Sequence, residues 1–279
     1  MKIGAVQIGE KLVPKVLGII NVSPESFYKG SVRTGERDIA AAAKQMQEHG
    51  AQIIDVGAMS TAPYLETVIS VEEEIRRMRK AVRAVKSACD LPVSADTPRA
   101  IVAEQAIASG ADAINDVTGL KYDGRMADVV AKAGVPVIIG AYSKTPVTGR
   151  LAGTLKALKE SLALAKNAGI SDTAVDPSIG FFRNEGMNPF FTRMEDMPWY
   201  TRDIEILNSL GELAGLGPVC ISVSRKSFIG HLLELNGDDR LVPSIICEAI
   251  AVLNGASIVR THSVRETVYA LTMLQLLKP

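Results

Sequence analysis

The sequence predicts a (β/α)₈ TIM barrel of the α/β class. Short apolar runs alternate with amphipathic helical segments along the chain, and polar residues follow the apolar runs. This unit recurs about eight times at roughly 20- to 45-residue spacing, and eight strands close a barrel of about 250 residues. A doubly wound open sheet is the alternative, but the sequence lacks the glycine-rich phosphate-binding turn expected after its first strand. We therefore expect residues 1–279 to form a single domain.

The predicted barrel strands are short, apolar and bounded by polar or turn-forming residues. A short hairpin or lid at residues 1–14 precedes the first of them. In chain order the strands are predicted at 16–20, 53–56, 91–95, 111–114, 135–139, 173–175, 219–223 and 257–259.

The helices between these strands are predicted from apolar residues at helical spacing. In the segment 36–49, Ile39, Ala43 and Met46 fall on one face, and Gly50 ends the helix. The segment 71–85 has an apolar stripe on one face and oppositely charged pairs four residues apart on the other. We interpret those charges as a solvated face.

An aromatic-rich insertion follows the sixth predicted strand. It contains four of the six phenylalanines and the only tryptophan of the chain. Three roles are open for it: sealing the barrel rim, covering a substrate, or contacting another subunit. Its aromatic residues are Phe181, Phe182, Phe190, Phe191, Trp199 and Tyr200.

The composition favours a small-molecule site. Lys plus Arg and Asp plus Glu are balanced at 31 each, so the charge balance gives no sign of a nucleic-acid or acidic-membrane partner. No apolar run approaches the length of a membrane span, and no cysteine or histidine cluster suggests zinc. The three cysteines lack paired spacing, which is typical of free thiols in a reducing compartment, so we expect a cytoplasmic protein.

Polar residues at the predicted strand ends should meet at one mouth of the barrel, because barrel enzymes bind ligands at the carboxyl ends of their strands. Carboxylates and an amide can bind the amino group and ring N–H of a flat heterocycle, and a lysine can bind its carbonyl oxygen or a ring nitrogen. Arginine, histidine and asparagine suit an anionic leaving group, with the asparagine supporting a Mg²⁺ that keeps most of its waters. These residues are Asn21, Asp96, Asn115, Asp176, Lys226, Arg260 and His262.

Each of these residues also has a structural explanation when taken alone. Asp96 and Asp176 could cap the helices that follow them, and His262 could be a capping or packed histidine. Arg260 could form an ion pair with Asp96 or Asp55. A ring of unlike charges at one rim is harder to explain by stability, so we interpret the residues as a site.

Seven segments resemble, in order, the successive motifs of dihydropteroate synthases, which belong to the pterin-binding barrel superfamily. The resemblance covers nearly the whole chain. The segments are 18–27 (GIINVSPESF), 55–57 (DVG) with 60–61 (ST), 94–97 (SADT), 114–117 (INDV), 176–177 (DP) with 180–181 (GF), 224–227 (SRKS) and 260–262 (RTH).

The resemblance implies an often dimeric barrel that condenses a dihydropterin-methyl pyrophosphate with p-aminobenzoate and releases pyrophosphate with Mg²⁺. It implies that the pterin is bound by Asp96, Asn115, Asp176 and Lys226. It implies that pyrophosphate, metal and arylamine are bound by Asn21, Thr61, Ser227, Arg260 and His262, with Asn21 on the metal. The implied catalytic residues are Asp96, Lys226, Arg260 and His262. In this mechanism the carboxylates stabilise a pterin cation, and Arg260, His262 and Mg²⁺ stabilise the departing anion.

The chain departs from the family pattern mainly at the arylamine end. The arginine of the family's second loop is Ala62, and Lys29 stands where the first loop usually has an aspartate. After the sixth strand, Ser178 and Phe182 replace glycines and Arg183 replaces a lysine. We expect that Lys29 could restore some of the lost positive charge, although an ammonium group cannot reproduce a bidentate guanidinium.

Two classes of enzyme therefore remain open at this point. The first is a synthase-like transferase in folate-type carrier biosynthesis that accepts p-aminobenzoate or a modified, for example ribosylated, arylamine. The second is a pterin-dependent methyltransferase that acts with a corrinoid protein, although such relatives do not need the SRKS and RTH segments that this chain retains. A pterin-binding protein without turnover is a third possibility. We favour the first, as a homodimer with small-molecule substrates and no nucleic-acid or membrane partner.

Overall fold

The structure is a computed structural model that describes residues 1–9, 12–25 and 32–277. Within these ranges eight parallel strands form a closed barrel in the order β11-β12-β3-β4-β5-β6-β7-β8, which confirms the predicted fold class. The strands are β1 (Lys2–Ile3), β2 (Val6–Gln7), β3 (Lys15–Asn21), β4 (Ile53–Gly57), β5 (Val93–Asp96), β6 (Ala113–Asp116), β7 (Val137–Gly140), β8 (Thr173–Asp176), β9 (Phe182–Arg183), β10 (Thr192–Arg193), β11 (Val219–Ile221) and β12 (Ala256–Thr261).

Helices follow each barrel strand and surround the barrel, as the sequence periodicity predicts. The longest, α2, begins where the Ser70 hydroxyl accepts a hydrogen bond from the Glu73 backbone N–H, and it buries Met78, Val82 and Val85. The helices are α1 (Glu36–Glu48), α2 (Val71–Ala88), α3 (Ala100–Ala108), α4 (Met126–Ala133), α5 (Leu151–Asn167), α6 (Trp199–Asn208), α7 (Ser227–Leu233), α8 (Leu241–Leu253) and α9 (Val264–Leu277).

The predicted N-terminal hairpin is present as the antiparallel pair β1 and β2. Ile3 and Ile8 are buried against the inward side chains of the barrel strands, including Leu17 and Ile258. The N-terminal amine lies 3.9 Å from the Asp172 carboxylate, just before β8 begins. The hairpin therefore plugs the amino end of the barrel, opposite the predicted site.

The register of the barrel strands explains why distant polar residues converge. Asn21 pairs with Gly57, Gly57 with Asp96, and Asp96 with Asn115, so these four positions form one row across β3 to β6. A Cβ atom at Gly57 would lie 3.1 Å from Asn21 Oδ1, a tight contact. Glycine thus leaves room between the side chains of Asn21 and Asp96.

The aromatic insertion after β8 is folded onto the rim of the barrel. Its short strands β9 and β10 pair in parallel, and the rings of Phe182 and Phe190 are fully buried. The Arg202 guanidinium lies 3.9 Å from the centre of the Phe182 ring, and the Phe190 ring packs edge-on against Tyr122. Of the three roles left open for the insertion, these contacts support sealing of the rim.

The structure also shows the state of the cysteines and the character of the helices. Cys89, Cys220 and Cys247 are free thiols, as their spacing predicts. None of the helices in the described ranges combines the length and apolar character of a membrane span.

Candidate active site

One cavity at the carboxyl ends of the strands brings together all of the site residues predicted from the sequence. Loop residues after β4 and β8 complete its lining, among them Ala62, Tyr64, Ser178 and Phe181. The predicted residues in its lining are Asn21, Thr61, Asp96, Asn115, Asp176, Lys226, Ser227, Arg260 and His262.

Arg260 is held between two carboxylates. Its Nε donates to Asp55 Oδ2 and its Nη2 to Asp96 Oδ2, each over 2.7 Å. Burial alone would lower the pKa of Arg260, but the charges of Asp55 and Asp96 outweigh burial and raise it overall. The ion pair that the sequence left open for Arg260 is thus present with both partners, and a third donor, Nη1, reaches Ser222 Oγ over 3.4 Å.

Asp55, which the sequence offers only as a possible ion-pair partner of Arg260, lies inside the apolar strand β4 and contacts two residues of the cavity. Its side chain is 0% exposed, and its Oδ2 also accepts a hydrogen bond from Asn115 Nδ2 over 3.2 Å. It therefore holds both Arg260 and Asn115. The signal in the sequence was a charged residue within the buried run 53–56.

The carboxyl groups of Asp96 and Asp176 are both difficult to ionise in the absence of ligand. Burial raises the pKa of Asp96 to about 7, although Arg260 acts in the opposite direction. Burial also raises the pKa of Asp176, whose Oδ1 accepts a 2.6 Å hydrogen bond from the Ser178 backbone N–H. Hydrogen-bond donors or positive charge on a ligand would favour their ionised forms.

Lys226 provides a cation that is easily deprotonated. Burial, with help from the nearby Arg260 charge, lowers its pKa to about 8. Its Nζ lies 4.4 Å from the centre of the Phe181 ring, within the range of a cation–π contact. Lys226 therefore lies beside an aromatic wall of the cavity.

The surroundings of His262 favour the neutral form of its ring. Its Nδ1 lies 3.2 Å from Ser224 Oγ and its Nε2 lies 3.5 Å from Asn21 Nδ2. Burial, together with the charge of Arg260, lowers its pKa well below 6.5. A ring held neutral in this way offers hydrogen bonds to an anion in the cavity.

The sequence profile of the family described as "Pterin binding enzyme" matches residues 17–262, which is most of the chain. The match runs from the first barrel strand, β3, to just after the last, β12. The chain belongs to the family of pterin-binding enzymes. The dihydropteroate synthase of Clostridium beijerinckii is 37% identical over 285 residues, covering 99% of either chain.

Solved structures of pterin-binding enzymes agree with this assignment. A dihydropteroate synthase from Coxiella burnetii in complex with pteroic acid has a TM-score of 0.81 at 33% identity, covering 94% of this chain and 92% of that one. The enzyme from Xanthomonas albilineans with 4-aminobenzoic acid has a TM-score of 0.82 at 31% identity, covering 95% and 94%. The relatives therefore favour the synthase over the methyltransferase.

The second loop, where pterin-binding enzymes of this type usually have an arginine, is tied to the aromatic insertion. Ala62 is 9% exposed, and its carbonyl accepts a 2.7 Å hydrogen bond from Asn188 Nδ2. The same amide also donates to Leu65 O, and the Met187 N–H donates to Pro63 O. Asn188 was not predicted from the sequence. Lys29, the proposed replacement for the loop arginine, lies outside the described residues, as does the rest of 26–31.

The replacement of the usual glycine by Ser178 has a measurable geometric consequence. Ser178 adopts a φ of 56°, in the left-handed region that costs a non-glycine residue roughly 1–2 kcal/mol. In this conformation the Ser178 N–H donates a hydrogen bond to Asp176 Oδ1. Arg225 of the SRKS segment, by contrast, donates to the carbonyls of Gly237 and Asp238 and does not line the cavity.

The donors near Asn21 fit a metal ion that is bound mainly by a substrate. In the part of the chain that the structure describes, no three His, Cys, Asp or Glu side chains form a metal-binding group. Asn21 and His262 contact each other at the cavity, and the atoms that they could offer to a metal ion carry no negative charge. Mg²⁺ is commonly held by few protein ligands, together with substrate phosphates and water. A Mg²⁺ that arrives with pyrophosphate matches this set.

Proposed function

We propose that this chain is a dihydropteroate synthase: it joins a dihydropterin-methyl pyrophosphate to p-aminobenzoate and releases pyrophosphate in folate biosynthesis. The observation that carries the proposal is the meeting of two half-buried carboxyl groups, an amide and a lysine in one cavity. These are Asp96, Asp176, Asn115 and Lys226. The relatives with pteroic acid and 4-aminobenzoic acid support the same pair of substrates.

The cavity can bind a pterin through its hydrogen-bonding edge. Asp96 and Asp176 would accept from the amino group and ring N–H groups of the pterin, and these bonds would favour ionised carboxylates. Asn115, held by Asp55, would contribute an amide in fixed orientation. Lys226 would donate to the pterin carbonyl or a ring nitrogen.

Catalysis would consist of stabilising charge that develops as the C–O bond to pyrophosphate breaks. The pterin methylene becomes cationic and delocalises its charge into the ring, so the carboxylates of Asp96 and Asp176 favour the transition state. Arg260 would hold Asp96 in place. Because its single positive charge is shared between Asp96 and Asp55, it would not fully neutralise these two carboxylates.

The departing pyrophosphate would be bound on the side of Asn21, Thr61 and His262. A neutral His262 would donate a hydrogen bond to pyrophosphate from Nε2 in place of its contact with Asn21, while Nδ1 accepts from the Ser224 hydroxyl. Asn21 would be a ligand of Mg²⁺ that arrives with pyrophosphate, and this ion would neutralise part of the leaving group's charge.

The arylamine then attacks the methylene carbon and loses a proton. An arylamine nitrogen is neutral at pH 7, so it needs orientation more than activation. The wall formed by Phe181 would orient the ring of the arylamine. No dedicated general base is needed for the attack.

The experiment is pyrophosphate release by the purified chain with dihydropterin-methyl pyrophosphate, Mg²⁺ and p-aminobenzoate. Release with formation of dihydropteroate is expected, and Asp96→Asn should reduce it strongly. A ribosylated aminobenzene tested in parallel defines the arylamine. Absence of release with either arylamine, together with methyl transfer to a corrinoid protein, would overturn the proposal in favour of the methyltransferase.

We also propose that two copies of the chain associate through α8 and α9. These helices pack against each other and present large apolar side chains to the outside, a concentration unusual for a monomer surface. The exposed residues are Val242, Ile246, Ile250, Leu253, Tyr269, Met273, Leu276 and Leu277. Ile246→Glu should convert a dimer to a monomer in sedimentation experiments, whereas Leu164→Glu on α5 should not. A monomeric wild-type chain would contradict the proposal.

A further inference from the structure

Glu248 is a buried carboxyl group on the face of α8 that packs against the barrel. It is 1% exposed, and its Oε2 lies 2.7 Å from Thr267 Oγ1 on helix α9. Its other oxygen, Oε1, has no hydrogen-bond partner among the described residues. Glu248 is not in the lining of the cavity, so the steps proposed above leave it without a role.

A continuous series of buried hydroxyl groups connects Glu248 to His262. Thr267 Oγ1 lies 3.1 Å from Thr261 Oγ1, which in turn lies 3.5 Å from Ser224 Oγ. Ser224 Oγ lies 3.2 Å from His262 Nδ1. We term these three hydroxyl groups the hydroxyl chain. All three residues are buried, so bulk water does not compete for their hydrogen bonds.

The surroundings of Glu248 favour its protonated form. Burial raises its pKa to about 7, although hydrogen bonds from Thr267 and Thr261 and the charge of Arg225 act in the opposite direction. An ionised carboxylate would leave a charged Oε1 without a partner. In the protonated acid Oε2 carries the proton and donates it to Thr267. Oε1 is then a neutral carbonyl oxygen, which costs less to bury unpaired.

Donation by Glu248 sets the direction of the hydroxyl chain. A hydroxyl group has one proton to donate and two positions at which it accepts. Thr267 shares its proton between Thr261 Oγ1 and the Ser263 carbonyl, which is 2.9 Å away. Thr261 Oγ1 also accepts from the Ser263 N–H over 3.1 Å, so both of its accepting positions are used. The proton of Thr261 is therefore directed at Ser224 Oγ.

The direction of the hydroxyl chain decides which ring nitrogen of His262 carries the proton. Ser224 Oγ accepts from Thr261 and from the His262 backbone N–H over 3.2 Å, so its own proton is donated to Nδ1. A neutral ring that accepts at Nδ1 is protonated at Nε2. Nε2 lies 3.5 Å from Asn21 Nδ2 at the cavity. An N–H at this position can donate to an anion, whereas a bare nitrogen cannot.

We propose that Glu248 is a positioning residue: as a protonated acid it orients the hydroxyl chain so that His262 presents its Nε2–H to the pyrophosphate group of the substrate. This inference rests on the proposed function and deepens it. An ionised Glu248 can only accept, so it draws the Thr267 proton towards itself and the direction of the hydroxyl chain is lost. A carboxyl group outside the cavity thereby controls a hydrogen bond inside it.

The first test is the tautomer of His262, measured by NMR on protein with ¹⁵N-labelled histidine rings. The chain has three histidines, and His262→Gln identifies the signals of this one. Glu248→Gln keeps an N–H donor towards Thr267, whereas Glu248→Met removes it. At about pH 6, where Glu248 is mostly protonated, wild type and Glu248→Gln should show the Nε2–H form. Glu248→Met should show a mixture of both tautomers.

The second test separates the two substrates kinetically. In Glu248→Met the KM for dihydropterin-methyl pyrophosphate and the inhibition constant of pyrophosphate should rise about 3- to 10-fold, the loss expected for one hydrogen bond. The KM for p-aminobenzoate should change less than about twofold, within the range of a distant substitution. Glu248→Gln should restore wild-type values, which replacement of a mere packing residue would not require.

Two further variants test the hydroxyl chain itself. Thr261→Val removes its middle hydroxyl at nearly constant volume and should reproduce both effects of Glu248→Met, so the test stands if that variant does not fold. Ser161→Ala is the matched control, because it removes a buried hydroxyl of α5 that donates to Ala157 O over 3.1 Å. The His262 signals should be unchanged in this control.

The outcomes distinguish this inference from the proposed function. A ring of His262 that stays protonated at Nε2 in Glu248→Met and Thr261→Val would overturn the inference while the synthase activity stands. Equal rises in the KM values of both substrates would do the same. If wild type releases no pyrophosphate with any arylamine, the proposed function fails. The NMR comparison, with calorimetric binding of pyrophosphate and Mg²⁺, would then still decide whether Glu248 acts on His262.

Discussion

The two sides of the cavity are built differently. On what we term the strand side, the polar groups project from the ends of barrel strands and are fixed by strand register. Their charges largely compensate one another, because one guanidinium bridges two carboxylates. The strand side consists of Asp55, Asp96, Asn115, Asp176 and Arg260.

The loop side is fixed by contacts between loops that are distant in sequence. The guanidinium of Arg183 is stacked on aromatic rings and has no carboxylate partner among the described residues. The loop side consists of Ala62, Phe181, Arg183, Asn188 and Ser227. Charges on the strand side are thus partly compensated within the protein, whereas the buried guanidinium on the loop side has no carboxylate partner among the described residues.

Arg260→Met should have the largest effect, because it breaks the strand side. It leaves the carboxylates of Asp55 and Asp96 buried without their cation, which should destabilise the chain by about 3–5 kcal/mol. Urea unfolding measures the loss. Arg183→Met should cost clearly less, since it leaves no paired carboxylate behind. Similar free energies of unfolding for the two variants would contradict the comparison.

Asp96→Asn should impair turnover while leaving the fold intact. The amide resembles the protonated acid that burial already favours, but it cannot stabilise a pterin cation. We expect kcat to fall about 10²- to 10³-fold, the usual loss for one electrostatic contact in a transition state. Pyrophosphate release and thermal unfolding, measured together, check this. A large loss of stability with unchanged kcat would assign Asp96 to the scaffold.

The pH dependence of kcat/KM should report the ionisation of Asp96 and Lys226, the two groups proposed to bind the pterin. Asp96 must be ionised, so kcat/KM should rise as pH increases through about 7. Lys226 must be protonated, so kcat/KM should fall as pH increases through about 8. Lys226→Arg keeps its charge at high pH and should shift only the alkaline limb upward. An alkaline limb unchanged in that variant would exclude Lys226 as its source.

Asn188→Ala should have the smallest effect and concern the loop side alone. It removes the hydrogen bonds to the carbonyls of Ala62 and Leu65, at a cost of about 1–3 kcal/mol for buried groups left unpaired. Without these hydrogen bonds the second loop should be less well positioned, so we expect the KM for p-aminobenzoate to rise about 3- to 10-fold. The pH profile should change little. Exposed Asn184→Ala is the matched control. Equal kinetics in the two variants would show that the loop does not need Asn188.

The strand side was largely predictable from the sequence, and the loop side was not. Asp96, Asn115 and Asp176 each follow an apolar run, and parallel strands bring such ends together. Asp55 was predicted only as a possible ion-pair partner of Arg260, because its position inside an apolar run is typical of core. Arg183 was noted only as a departure from a family pattern, because its partners Trp199 and Ser227 lie further along the chain, with no local pattern that links them to it.

The sequence by itself determined the barrel, the family and the set of residues at the strand ends, because strand periodicity and motif order are local properties of the chain. Only the tertiary structure decided which charges compensate one another. Arg260 and Asp55 are 205 residues apart, and Asn188 and Ala62 are 126 apart. Contacts over such separations have no local pattern, since they depend on how the closed barrel brings its loops together.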